Sequence, residues 1–269
     1  MKLGLCLSGG GARGAYQVGA MKALEELNIL SNIEAFSGTS IGSVNASLIA
    51  TMPIEKLKDI WFSISPDMLK RTEGIFKKII EEKMEFKQVG LFDIHELENL
   101  LKLHLDVQKL KQKEVYVTLS EGGASLEGIF GLIKSSYQHY VKKEKKVIYA
   151  NTKDSIDDLS IYKQIIASCS IPIAFAPTRS ESHQFYDGGV YDNVPVTPLV
   201  ENGCDHVIIV HLHRIHTFDP KKFPDVVFDE IKPKHNLGSL LKFDGERSKD
   251  LFERGYLDTL EYFKAKNKE

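Results

Sequence analysis

Leu3-Gly4-Leu5-Cys6-Leu7 is an apolar run too short for a helix and followed directly by a glycine cluster. That pattern predicts a short buried strand. Past the glycines, Ala15, Val18, Met21, Leu24 and Leu27 recur at helical spacing, which predicts a helix. Ile33-Glu34-Ala35-Phe36 predicts a second strand, and Val44, Leu48 and Ile49 a second helix beyond another glycine turn. Strand, turn and helix thus occur twice in succession, the signature of right-handed βα units and a parallel sheet.

Residues 55–105 read as helical and charged, either a lid or acyl-chain wall or an exposed helix, in which Lys77-Lys78 and Glu81-Glu82 form i,i+4 pairs. The stretch ends in Gly90-Leu91-Phe92-Asp93 and an amphipathic helix from Ile94 to Leu103. Strands are predicted at Val115 to Leu119, Val147 to Ala150 and Val207 to Leu212, and a helix from Ile161 to Ser168. Residues 214–236 hold three of the nine prolines and read as a long loop. A final amphipathic helix is expected from near Leu237 to about Phe263. No internal repeat or low-complexity linker divides the chain, so residues 1–269 are expected to form a single domain.

Composition adds limits. Hydrophobic residues make up 42% of the 269, enough for a substantial core. The 35 basic and 37 acidic side chains leave a net charge of −2, which removes the basic bias that a nucleic-acid partner calls for. Cys6, Cys169 and Cys204 are too few and too scattered for a disulfide framework or zinc site, and read as buried free thiols in a reducing compartment. The segment ahead of the glycines is too short for a secretory h-region, and no stretch approaches a membrane span. The expectation is a cytoplasmic protein that touches membranes, if at all, from the surface.

Three motifs carry chemistry. Gly38-Thr39-Ser40-Ile41-Gly42 is a G-x-S-x-G, in which a serine sits on a tight strand-to-helix turn between small neighbours. Such a hydroxyl becomes a nucleophile only when a base takes its proton. The bland alternative is a serine capping a helix. Gly9-Gly10-Gly11-Ala12-Arg13-Gly14 satisfies the dinucleotide fingerprint, but the second strand runs into Ser37-Gly38-Thr39-Ser40 where an acidic residue belongs, and Glu34 lies inside the strand. The lysine of a phosphate-binding P-loop is missing as well. The same backbone N–H array can serve as an oxyanion hole, with Arg13 either adding positive charge or bracing the loop. The third motif, Asp187-Gly188-Gly189, precedes Asp192-Asn193-Val194-Pro195 in a region rich in turn residues.

His206, His211, His213 and His216 all follow Asp187, so a Ser40–Asp187–His triad remains open. His211 and His213 share a strand face and could hold a metal with His216, but no carboxylate sits at matching spacing; hydrogen-bonded strand-end histidines are the reading kept. Lys142-Lys143-Glu144-Lys145-Lys146, near Tyr137 and Tyr140, suits either anionic headgroups or a solvated loop.

Together these motifs resemble the patatin-like phospholipase family. Gly9 to Gly14 is similar to its glycine-rich oxyanion motif, and Gly38 to Gly42, followed by Ser43-Val44-Asn45-Ala46, to its nucleophile elbow. Gly90-Leu91-Phe92-Asp93 matches a landmark of the family. Ala167-Ser168-Cys169-Ser170-Ile171-Pro172, with Phe175 and Pro177, resembles the segment leading to its catalytic aspartate, and Asp187-Gly188-Gly189 its D-G-G motif. The likeness is strongest over residues 3–212 and fades beyond. It implies a three-layer α/β/α fold around a mostly parallel sheet. It also implies a Ser–Asp dyad, with Ser40 as nucleophile and Asp187 as general base, cleaving lipid acyl esters through an acyl-Ser40 intermediate. Gly9, Gly10, Gly11 and Arg13 would form the oxyanion hole, with Gly14, Gly38, Gly42, Gly188 and Gly189 supporting the motifs and no metal or cofactor required. In a water-poor lipid site the aspartate's charged form is disfavoured, which raises its basicity. The alternatives are a soluble carboxylesterase or thioesterase with the same dyad, and a Rossmann-like nucleotide binder using Gly9 to Gly14.

Overall fold

The computed structural model describes residues 1–64, 94–120, 147–169, 192–215, 218–240 and 242–268. The opening apolar run is β1 (Leu3–Leu7), buried throughout. Leu3, Leu5 and Leu7 enter one core and Cys6 the other, so the strand is apolar on both faces, as a central parallel strand must be. β1 pairs in parallel with β2 (Ile33–Gly38) on one side and with β5 (His206–Val210) on the other. Outward from β2 lie β3 (Glu114–Ser120), parallel, and β4 (Val147–Asn151), antiparallel to β3. Outward from β5 lies β6 (Val227–Ile231), parallel. The spatial order is β4-β3-β2-β1-β5-β6.

The chain therefore winds from β1 through β2 to β3, then starts the other half at β5. That reversal leaves the carboxyl ends of β1, β2 and β5 side by side, where doubly wound sheets place their ligands. One face of the sheet carries α1 (Ala15–Glu26), α2 (Ile41–Ile49), α3 (Ile54–Ser63), α4 (Ile94–His104), α5 (Val107–Leu110), α6 (Asp158–Cys169) and α8 (Gly245–Lys266), all contributing to the larger core. The other face is covered by Val194, Val196 and the short α7 (Thr197–Glu201), packed on Cys6, Val207 and Ile209. This is the three-layer α/β/α arrangement.

Two expectations fail beyond residue 213. The stretch 214–236 is not all loop: it holds a 3-10 turn at Pro220–Lys222 and the strand β6. Pro220 and Pro224 precede that strand and Pro233 follows it, so the prolines bracket an element they had seemed to exclude. Asp229 and Glu230 disguised it as polar, because their partners His206 and His211 lie on the neighbouring chain segment. The last helix starts at Gly245, capped by Asp244, whose side chain accepts from Arg247 N–H at 3.0 Å. Helix α8 lies against α1 at backbone contact. A Cβ on Gly19 would stand 1.8 Å from the Phe252 carbonyl oxygen, and one on Gly255 1.9 Å from that of Tyr16. Within 55–105, α3 and α4 are helical, while residues 65–93 lie outside the described residues, as does the basic stretch 142–146.

Candidate active site

Ser40 stands between β2 and α2 with φ 54° and ψ −126°, a backbone state that a residue with a side chain adopts at a cost of about 1–3 kcal/mol. Local bonds hold it there. Gly42 N–H donates to Thr39 C=O at 2.9 Å, and Ser43 N–H and Oγ both donate to Ser40 C=O, at 2.8 and 2.6 Å. Ser40 N–H donates to the Oγ of buried Ser168, at the end of α6, at 2.9 Å. The two elbow glycines are required by space. A Cβ on Gly38 would lie 2.3 Å from the Gly42 carbonyl, and one on Gly42 2.2 Å from Leu7 O.

Ser40 makes no side-chain capping bond, so it is not the ordinary helix cap that its sequence allowed. Its Oγ is buried and has no hydrogen bond among the described residues. The Cys169 thiol lies beside it; burial pushes that thiol up to about 12 in spite of the Ser40 hydroxyl.

The glycine loop joins β1 to α1 through a 3-10 turn at Gly11–Arg13. Gly9 N–H donates to Asn193 C=O at 3.3 Å, Ala12 N–H to Leu240 C=O at 2.8 Å, and Gly14 N–H to Gly11 C=O at 3.1 Å. The Gly10 and Gly11 N–H groups form no hydrogen bond among the described residues. A Cβ on Gly10 would meet Leu212 at 2.5 Å; Gly11, at φ 55°, lies against Leu240 C=O. Arg13 bonds to the segments at 212–213 and 238. Its Nε donates to Gly238 C=O at 2.9 Å, and its Nη1 lies 3.1 Å from Leu212 C=O and 3.0 Å from His213 Nδ1. A buried amide chain ties the two turns together. Trp61 Nε1 donates to Asn45 Oδ1 at 3.1 Å; Asn45 Nδ2 donates to Gly14 C=O and Gln17 Oε1; Gln17 Nε2 donates to Ser8 C=O at 2.8 Å.

Asp187, Gly188 and Gly189 lie outside the described residues. The residues that follow them are bound to both turns. Asp192 C=O accepts from Thr39 Oγ1 at 2.7 Å, Pro195 C=O from Ser37 Oγ at 2.7 Å, and Asn193 bonds to Gly9. Tyr149, on β4, donates to Asp192 Oδ2 at 2.5 Å.

The histidines have structural partners. His206 Nε2 meets the buried Asp229 at 2.6 Å, and Tyr262 and Lys266 of α8 bind the same carboxylate. Burial disfavours that charge, but the three hydrogen bonds outweigh it and hold Asp229 down to about 2. His211 Nε2 lies 2.9 Å from Glu230, which Lys232 also pairs. His213 is pushed down to about 4 by burial and by the Arg13 guanidinium, and so is neutral at pH 7. His216 lies outside the described residues. Among the described residues no group of three histidine, cysteine or acidic side chains is placed to hold a metal. The motifs had singled out Ser40 and the glycines, and the resemblance had included Asn45 and Ser168 in its segments; Gln17, Trp61 and Tyr149 carry no local signal, since they matter only through contacts the fold creates.

A strained serine turn set beside a glycine loop, at the reversal of a doubly wound sheet, defines a class of α/β proteins built around a nucleophile elbow. Residues 5–200 match the family model described as patatin-like phospholipase, and the chain belongs to that family. It is 25% identical over 233 residues to lysophospholipase NTE1 of Cryptococcus neoformans, covering 84% of this chain and 12% of that protein. It is 30% identical over 204 residues to the probable lipid hydrolase 463L of Invertebrate iridescent virus 6 (71% of this chain, 61% of that one), and 24% identical over 225 residues to triacylglycerol lipase ptl2 of Schizosaccharomyces pombe (79% and 33%). The chain thus spans less than two thirds of the length of these relatives. Its fold matches a chain of the crystallised complex of full-length SpcU with full-length ExoU from Pseudomonas aeruginosa, with TM-score 0.53, 17% identity, and coverage of 98% of this chain and 52% of that chain.

Proposed function

We propose that this protein hydrolyses carboxylic esters of lipids, of the phospholipase A or lysophospholipase type, with Ser40 as nucleophile and Asp187 as general base. One observation carries the reading: a buried serine hydroxyl, without a hydrogen bond among the described residues, is held at positive φ on a turn that packs against the glycine loop, in which the Gly10 and Gly11 N–H groups form no hydrogen bond to described residues either. In the proposed reaction Asp187 takes the Ser40 proton as Oγ attacks the acyl carbon. Gly10 and Gly11 N–H stabilise the oxyanion. Asp187 then protonates the departing alkoxide and activates the water that releases the acid.

Support for Asp187 comes from its flanks. Ser168, on the near side in sequence, accepts from Ser40 N–H, and Asp192, on the far side, accepts from Thr39. The described residues on both sides of the segment carrying Asp187 are thus bonded to the elbow. Arg13 is assigned to bracing the glycine loop, since its donors meet Gly238, Leu212 and His213. Lipid is favoured over soluble substrates because relatives are named lysophospholipase and triacylglycerol lipase. Contact with membranes is proposed to be peripheral; among the described residues no helix is long and apolar enough to cross one.

Rates on lysophospholipid micelles, phospholipid vesicles, emulsified triacylglycerol and short soluble esters test the substrate class. The proposal expects kcat/KM at least about tenfold higher on a long-chain lipid than on a soluble ester, as buried acyl methylenes contribute roughly 0.8 kcal/mol each. Faster turnover of short soluble esters or thioesters, with no activity on lipid, contradicts it.

A further inference from the structure

The glycine loop is fixed by a part of the chain outside the family match. That match ends at residue 200, yet the Ala12 N–H bond goes to Leu240 C=O, and Arg13 bonds to Gly238 C=O. Residues 232–240 form neither strand nor helix, so hydrogen bonds must be supplied to them from elsewhere. Beside Arg13 and Ala12, the main supplier for residues 237–239 is Arg247, in the first turn of α8. Its Nη2 donates to Leu237 C=O at 2.6 Å and to Ser239 C=O at 2.7 Å, and its Nη1 donates to Lys242 C=O. Arg247 Nη2 would also stand 3.4 Å from a Cβ on Gly238, which has φ 79°. Gly238 is thus held between the two guanidinium groups, Arg13 on its carbonyl and Arg247 against its Cα.

Hydrogen bonds from a charged guanidinium are stronger than neutral ones, and two of the three, to Leu237 and Ser239, fall on residues 237–240, so one side chain orders this short irregular stretch. The foot of α8 is itself seated by Asp244 capping Arg247 N–H at 3.0 Å and by Phe243 stacked on Trp61, 6.3 Å between centroids. Trp61 is also the end of the amide chain that reaches the glycine loop through Asn45 and Gln17.

We infer that Arg247 is a positioning residue for the oxyanion hole: it fixes residues 237–240, whose carbonyls at Gly238 and Leu240 in turn hold the Arg13–Ala12 turn so that Gly10 and Gly11 N–H stay aimed at the ligand. The inference rests on the hydrolase reading for its kinetic consequence and is independent of it for its structural one. A displacement of about 1 Å in such donors costs up to roughly 10²-fold in rate.

Two readouts on the full chain separate these. Hydrogen exchange followed by mass spectrometry compares wild type with Arg247→Ala and with Arg247→Lys, whose single ammonium cannot reach three carbonyls at once. The peptide containing Ala12 should exchange at least about tenfold faster in both variants, while peptides from β1 and β5 keep their rates. Steady-state hydrolysis should show kcat lowered roughly 10- to 100-fold with KM within about twofold, since the loss falls on the transition state. Added guanidinium ion should restore part of the kcat of Arg247→Ala. Unchanged exchange at Ala12, or uniformly faster exchange across the chain, overturns the clamp; so does a loss confined to KM. If Arg247→Ala fails to fold, Arg247→Lys carries the same test. Faster exchange at Ala12 in a protein that shows no esterase activity even as wild type sustains the clamp and sinks the hydrolase reading instead.

Discussion

At the scale of single residues, the division of labour among Ser40, Asp187 and the histidines is what mutation can resolve. Asp187→Asn keeps size and shape but removes the proton acceptor, so it should reduce kcat by about 10³-fold or more, as Ser40→Ala should, and the double variant should be little worse than either. His206→Gln, His211→Gln and His213→Gln should each keep kcat/KM within about tenfold, because their imidazoles are committed to Asp229, Glu230 and Arg13. A histidine variant as inactive as Ser40→Ala, beside an active Asp187→Asn, would establish a triad. Gly10→Val should also be damaging, by 10²-fold or so in kcat, since its side chain would strike Leu212 and turn the N–H aside. The geometry of the elbow and the glycine turn was legible because both impose space requirements that only particular residues meet, at fixed spacing. Several residues that support them were not. Gln17, Trp61 and Tyr149 bond to partners 9, 16 and 43 positions away, through contacts that exist only once the chain is folded.

At the scale of elements, β1, β2 and their helices followed from the hydrophobic pattern, because β1 is buried throughout and β2 at every position but Glu34. β6 did not, because its carboxylates are compensated largely by distant residues: Asp229 by His206 of β5 and by Tyr262 and Lys266 of α8, and Glu230 by His211 just past β5, with Lys232 the one near partner. That arrangement makes the β5–β6–α8 corner sensitive to acid. Asp229 and Glu230 both have folded pKa values held down to about 2, below those of the unfolded chain. Their stabilisation is therefore fully present above the ordinary carboxylate range near pH 4 and is lost as pH falls from there toward 2. Melting temperatures measured across pH 5 to 2 should fall more steeply for wild type than for Asp229→Asn, which starts lower at pH 7. Parallel curves for the two proteins would remove Asp229 from the account. The contact of α1 with α8 gives a second test: Gly255→Leu forces backbone apart from backbone and should destabilise by about 1–3 kcal/mol or more in denaturant titration, whereas a midpoint equal to wild type would mean that the helices do not touch there.

At the scale of the whole molecule, a doubly wound sheet gathers the ends of β1, β2 and β5 at one edge, and each contributes a part: the glycine loop, the serine elbow, and Leu212 and His213, which receive Arg13. Such an edge suits a nucleotide as readily as an acyl ester, and the glycine fingerprint alone did not separate them. What separates them is Ser40, which a nucleotide site has no reason to strain. The most direct test is therefore covalent. A long-chain fluorophosphonate, which reacts only with an activated serine, should add one label to the folded wild-type chain, and peptide mapping by mass spectrometry should place it on Ser40. Asp187→Asn should label at least about 10²-fold more slowly, and Ser40→Ala not at all. A wild-type protein left unlabelled, or labelled on a serine other than Ser40, contradicts the account.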